Sequence, residues 1–235
     1  MRKKTKDVGA SVKAQLLRIA RERGDDYQLV LLRYANERLL YRLAVSPHAS
    51  RFVLKGAALF TLWTGLPHRA TRDIDLHGIG DPSEAHVRKV MLEVISQAVD
   101  DDGVVFDAET LTVSPIREDQ TYGGVRVALL ARIASAQIRL QVDVGFGDAI
   151  TPEAIAVEFP ALLDFPAPHL LVYPRETVVA EKIEAIVQLG MANSRMKDFY
   201  DIVVLANAFE FQGQLLLDAI RATFKRRGTA MALVS

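Results

Sequence analysis

Asp73 and Asp75 are the residues whose type and spacing most directly suggest chemistry. In the stretch Thr71–Leu76, Ile74 and Leu76 alternate with the two acids, the pattern of a strand with one apolar face. That pattern puts both carboxylates on one side of the strand, roughly 6.5–7 Å apart along the backbone. Two such groups at a strand end can share a divalent ion, and magnesium takes a few carboxylates together with substrate phosphates and water. Asp143 is a third candidate, a lone acid between Val142 and Val144 near the end of a strand and followed by Gly145. If that strand lies beside Asp73–Leu76, three carboxylates converge. They can then hold two metals, or one metal and a general base, for in-line transfer of a nucleotidyl group. The plain alternative for an isolated D-x-D is a solvated strand edge.

Other residues suit phosphate chemistry. Lys55-Gly56-Ala57-Ala58 falls between a strand and a helix, where backbone N–H groups can hold phosphate. Lys182 interrupts the apolar stripe Val179, Ile183, Ile186 of one helix. It reads either as a lysine whose stem covers the core or as a cation aimed at a phosphate. Ser194–Asp201 opens the next helix. Asp198 and Asp201 suit its N-terminal dipole, and Asp198 could equally pair with Lys182 and orient it. Arg195 and Lys197 add positive charge at that end. Arg69 and Arg72 are further candidate phosphate or RNA contacts, and surface solvation explains them as well.

The elements that must position these residues are legible in outline. Helices are predicted over 11–23, with Ser11 as a cap, over 27–44, and over 56–64 opened by Gly56. Another starts at Asp81-Pro82-Ser83-Glu84, with Asp81 at the cap, and runs to about Val99. Strands are predicted over 51–54, 71–76, 104–106, 111–116, 124–133 and 137–146, with a short one over 170–173. Helices follow over 175–189, 195–208 and 212–226. Strands mixed with helices, and helices gathered at both ends, predict an α+β fold.

Composition bounds the function. The chain has 235 residues, half of them hydrophobic, with 29 Lys+Arg balanced by 29 Asp+Glu, which excludes a disordered chain and a uniformly basic one. No cysteine is present, so disulfide scaffolds, cysteine zinc sites and thiol nucleophiles are excluded. No apolar run is long enough for a membrane span, and no signal-type core follows the N-terminus; a cytoplasmic, bacterial-type protein without membrane partners is expected. The neutral total is uneven. Residues 1–42 hold 11 Lys/Arg against 5 Asp/Glu, and residues 43–110 hold 6 against 10. The basic segment reads as a solvated helix pair or as a polyanion-facing surface beside an acidic, metal-holding centre.

Taken in order, FVLKGAALFTLW, TRDIDL, LQVDVGFGD, TVVAEKIEAI and SRMKDFYDI, with RYANERLLYRL upstream, resemble the AbiEii/AbiGii-type nucleotidyltransferase toxins, including the MenA/MenT-like toxins. The resemblance spans roughly residues 11–227. It implies a DNA polymerase β-like nucleotidyltransferase core with a mixed sheet over 51–173, a helical segment over 1–50 and another over 174–235. It implies a toxin of a toxin–antitoxin or abortive-infection system. Relatives use a nucleoside triphosphate with Mg2+ or Mn2+, and some add nucleotides to the 3′ end of tRNA, so tRNA and a cognate antitoxin of transcriptional-regulator type are the expected partners.

Position by position, Asp73, Asp75 and Asp143 match the metal-binding carboxylates. Lys182 and Asp198 match a later lysine and aspartate needed for activity, and Gly56 matches the phosphate-loop glycine. Lys55, Ala57, Arg72, Lys182 and Arg195 join Gly56 as expected nucleotide or phosphate contacts. Ala57 stands where the family places a serine, so a hydroxyl contact to phosphate is missing. Relatives often continue into a further helical part beyond the position of Arg227. Two other readings stay open: a toxin that nucleotidylates protein or transfers a phosphoryl group on the same fold, and a non-catalytic module that binds RNA or an antitoxin.

Overall fold

The first helix, α1 (Val8–Arg23), starts one turn earlier than the sequence suggests. Asp7, not Ser11, is its cap, and the Asp7 side chain accepts a hydrogen bond from the Ala10 N–H at 2.9 Å. Gly24 closes the helix in the left-handed conformation. Asp26 caps α2 (Tyr27–Val45) by accepting from the Leu29 N–H. The computed structural model describes residues 7–65, 71–116, 123–190 and 194–231. Two compact units result: Met1–Phe146 with Val157–Leu170, and Gly147–Ala156 with Leu171–Ser235.

A mixed seven-stranded sheet runs in the order β3 (Val104–Ile116), β4 (Gly124–Ile133), β5 (Ala136–Phe146), β2 (Asp73–Gly78), β1 (Phe52–Lys55), β7 (His169–Val172), β6 (Ile155–Glu158). The division between the units falls within β6 and β7. Strand β2 pairs antiparallel with β1 and parallel with β5, and β3-β4-β5 is an antiparallel meander. Parallel pairing of β2 with β5 requires a long crossover, and α4 (Glu84–Ile95) with β3 and β4 supplies it. The cap of α4 is Ser83 rather than Asp81; Asp81 accepts from Ser83 instead, and the helix ends at Ile95, short of the predicted Val99. The two predicted strands over 104–116 are one strand, with a register irregularity between Asp107 and Thr112.

The core of the first unit lies on one face of this sheet. Ile74 and Leu76 of β2 and Val142 of β5 meet Leu39, Leu40 and Leu43 of α2 and Met91 and Val94 of α4. Alternation does the rest: with those apolar residues turned to the helices, Asp73, Asp75, Gln141 and Asp143 are left on the opposite face.

Helix α2 also carries buried charge, which its composition did not announce. Arg42 grips Asp102 with two nitrogens, at 2.7 and 3.1 Å. Arg38, fully buried, donates to Glu37 at 2.5 Å and to the Pro166 carbonyl at 2.9 Å, while Glu37 accepts from the Leu162 N–H. Two of the eleven basic residues over 1–42 are therefore internal and do not face solvent.

The second unit holds α5 (Arg175–Leu189), α6 (Met196–Ala208) and α7 (Gly213–Arg227), with α5 packed on both others. Arg227, at the end of α7, is clamped by Glu184 at 2.8 Å, Asp148 at 3.1 Å and Glu181 at 3.4 Å. Burial alone would lower the Arg227 pKa, but Glu181 and Asp148 more than offset it and hold the guanidinium charged. No helix among the described residues is long and apolar enough to cross a membrane.

Candidate active site

Strand register builds the site. Asp75 and Asp143 are partners across the parallel β2–β5 pair. On either side, Lys55 of β1 stands opposite Asp75, and Arg126 of β4 stands opposite Asp143. One row across four strands thus reads Lys55, Asp75, Asp143, Arg126, with Asp73 two residues before Asp75. Oxygens of Asp73, Asp75 and Asp143 all lie within 4.8 Å of one another, and all three side chains are half-buried. Thr71 donates its hydroxyl to Asp73 Oδ1 at 3.1 Å.

The donor set fits a hard cation. Three carboxylate donors with no sulfur or imidazole suit hard cations such as magnesium, manganese or calcium over softer ions. A bond length of about 2.1 Å places ligand oxygens on one ion about 3–4.2 Å apart, and a two-ion site separates the ions by about 3.5–4 Å. An envelope of 4.8 Å suits either arrangement. Without a cation, the three carboxylates repel one another in a partly desolvated setting.

Gly56 belongs to this site by contact. Its φ is +72°, and a Cβ built on it would fall 2.0 Å from Asp75 Oδ2. The position therefore excludes side chains on two counts, left-handed backbone and close approach to the carboxylate. Ala57 follows as the cap of α3 (Ala58–Thr64), which starts two residues after the predicted opening at Gly56; Ala57 provides no side-chain cap hydrogen bond. Arg72 is exposed immediately before β2. Arg69 lies outside the described residues.

Lys182, Asp198 and Arg195 form a group of their own in the second unit. Lys182 Nζ donates to Asp198 Oδ1 at 2.9 Å and to Asp201 Oδ2 at 2.7 Å. Arg195 forms an ion pair with Asp198 Oδ2 at 2.9 Å. The two acids are nearly fully buried. The sequence points to the pairing of Lys182 with Asp198 but not to the second partner, Asp201, whose position suits only the helix dipole.

Arg126 is a residue of this site that its sequence context does not single out. Its Nε and Nη2 hold the two oxygens of Asp143 at 2.8 and 2.7 Å. With its amide turned so that the oxygen faces the guanidinium, Gln141 accepts from the same two nitrogens at 3.2 and 3.3 Å. A signal for Arg126 exists in the sequence. A two-residue turn at Ala134-Ser135 pairs Ile133 with Ala136, and counting back along the hairpin brings Arg126 opposite Asp143. Ala-Ser lacks the Asn-Gly or Asp-Gly signature of such turns, and Ala134 accordingly adopts a φ of +49° that alanine rarely takes.

The comparisons with known proteins agree with this architecture. The family profile described as nucleotidyl transferase AbiEii toxin, type IV TA system, matches residues 38–235. Two crystal structures from Helicobacter pylori share the fold. JHP933 is 17% identical, with 88% of this chain and 83% of that chain covered and a TM-score of 0.55. A candidate nucleotidyltransferase is also 17% identical, with 89% and 86% covered and a TM-score of 0.55. A search of curated proteins finds no match.

Proposed function

The chain belongs to the AbiEii family of nucleotidyl transferase toxins, and from this we propose that it transfers a nucleotide from a nucleoside triphosphate to the 3′ end of a tRNA, with Mg2+ or Mn2+. The observation that carries the reading is the convergence of Asp73, Asp75 and Asp143 on one face of the sheet, within 4.8 Å.

In this reading Asp73 and Asp75 hold the divalent ion that binds the triphosphate. Asp143 completes the site, either helping to hold a second ion or taking the proton of the attacking hydroxyl. The hydroxyl oxygen bonds to the α-phosphorus, the bond from that phosphorus to the β-phosphate bridging oxygen breaks, and pyrophosphate leaves. When bound, the metal offsets the charge developing on the phosphate oxygens. Gly56 keeps the backbone close to the carboxylates, and Lys55 and Arg72 serve as phosphate contacts. Lys182 and Arg195, held in place by Asp198 and Asp201, contribute further contacts to the nucleotide or acceptor. A cognate antitoxin of transcriptional-regulator type restrains the toxin.

Incubation with α-labelled triphosphates and separate pools of tRNA and protein tests the acceptor. Label on tRNA is the expected result. Label on protein alone overturns the tRNA reading and favours protein nucleotidylation. No label on either pool, in a chain that still arrests growth, points to a binding module.

A further inference from the structure

We infer that Arg126 is a positioning residue that holds Asp143 in the acidic cluster and sets the affinity of the site for its divalent ion. The inference deepens the metal-dependent reading above and rests on it. Three carboxylates drawn within 4.8 Å repel one another unless a cation is near. The structure provides one from β4. Arg126 reaches Asp143 through a two-pronged contact, at 2.8 and 2.7 Å. Such a fork fixes the plane of the carboxylate as a single lysine nitrogen cannot.

The clamp leaves room for a metal. Each carboxylate oxygen has two lone-pair directions, and the fork uses one on each. Asp143 can therefore keep Arg126 and still offer an oxygen to an ion shared with Asp75, its partner on the adjacent strand. Gln141, two residues earlier on the same face of β5, accepts from the same two nitrogens, Nε and Nη2, and so holds the edge of the guanidinium that faces Asp143.

Two consequences separate from each other. The positive charge of Arg126 sits against the carboxylate that must attract the ion, so it weakens metal binding. Its forked shape fixes the direction of Asp143, so it aids turnover. Charge and shape are separable by substitution: Arg126→Gln removes both, and Arg126→Lys keeps the charge and loses the fork. Arg126 is partly exposed, with 44% of its side chain accessible, so both variants keep the fold, as thermal melts will register.

The test is Mn2+ titration followed by electron paramagnetic resonance, with and without a triphosphate, alongside kcat for label transfer. Arg126→Gln is expected to bind Mn2+ about five- to tenfold more tightly than the wild type. Arg126→Lys is expected to bind it as the wild type does. Both variants are expected to lose about tenfold or more in kcat. Tighter binding with slower turnover is a combination that loss of structure does not produce. Unchanged or weaker Mn2+ affinity in Arg126→Gln overturns the inference, as does wild-type kcat in both variants. Asp75→Asn serves as the control for the underlying reading. If the wild type binds Mn2+ no better than Asp75→Asn does, the metal site itself is wrong and the inference falls with it.

Discussion

A Cβ at position 56 would lie 2.0 Å from Asp75 Oδ2, so Gly56 and Asp75 can occupy their places only while residue 56 has no side chain. The loop after β1 and a proposed metal ligand on β2 are thereby one structural decision. Gly56→Ala must both strain a backbone at φ +72° and displace a carboxylate. It is expected to cost about 2 kcal/mol or more in urea unfolding. It is also expected to lower label transfer more than tenfold, by analogy with the cost of a misplaced catalytic group. A stable, fully active Gly56→Ala protein would contradict the contact.

Asp73 offers a trade between stability and activity. Its charge adds to the repulsion of Asp75 and Asp143 when no cation is present. In chelator-treated protein, Asp73→Asn is expected to melt at or above the wild-type temperature, while label transfer falls by about 100-fold or more. Differential scanning calorimetry and the transfer assay read the two effects separately. A marked loss of metal-free stability would show that Asp73 is primarily a structural residue.

Lys182 has a structural duty whatever its part in chemistry. Its ammonium is the shared partner of Asp198 and Asp201, which are 3% and 0% exposed. Lys182→Met leaves two buried carboxylates short of a partner, and about 3 kcal/mol of stability is expected to be lost. Adding Asp201→Asn to Lys182→Met is expected to recover part of that loss in urea melts, as coupled groups do. Purely additive losses would mean that the lysine and Asp201 do not interact.

Arg227 ends α7 in a clamp of three acids, Glu184, Asp148 and Glu181. Arg227→Ala removes the guanidinium from buried Glu184 and half-buried Asp148 and Glu181, and is expected to destabilise the protein by about 3 kcal/mol. Chemical unfolding monitored by circular dichroism measures this. A change under 1 kcal/mol would show that the acids find other partners or protonate at little cost.

Much of this organisation was legible in the sequence, for physical reasons that differ by residue. The alternation Asp73-Ile74-Asp75-Leu76 assigned both acids to one face, because a strand has no other way to bury Ile74 and Leu76. Helix starts were less certain where two residues could cap. Asp7, Ser11, Asp81 and Ser83 are all residue types that cap helices, and Asp7 and Ser83 prevail because they stand at the boundary, accepting from the Ala10 and His86 N–H groups. Strand β6 was not anticipated: three of its four residues are exposed, so no buried face marks it in the sequence. Buried Arg38 and Arg42 looked like surface charge, since only their partners Glu37 and Asp102 make burial tolerable. Arg126 escaped for a related reason. Its meaning depends on register, and register here depends on a turn whose residues do not advertise it.

Nucleotide transfer at the site around Asp75 differs from phosphate transfer in which phosphorus reaches the acceptor. Parallel reactions with α-labelled and γ-labelled triphosphate, in the presence of Mg2+ and tRNA, measure this directly in the wild type and in Asp75→Asn. The α label is expected to enter RNA, the γ label to leave as pyrophosphate, and Asp75→Asn to abolish the transfer. Transfer of the γ label to the acceptor, or equal transfer by Asp75→Asn, would contradict nucleotide transfer at this site.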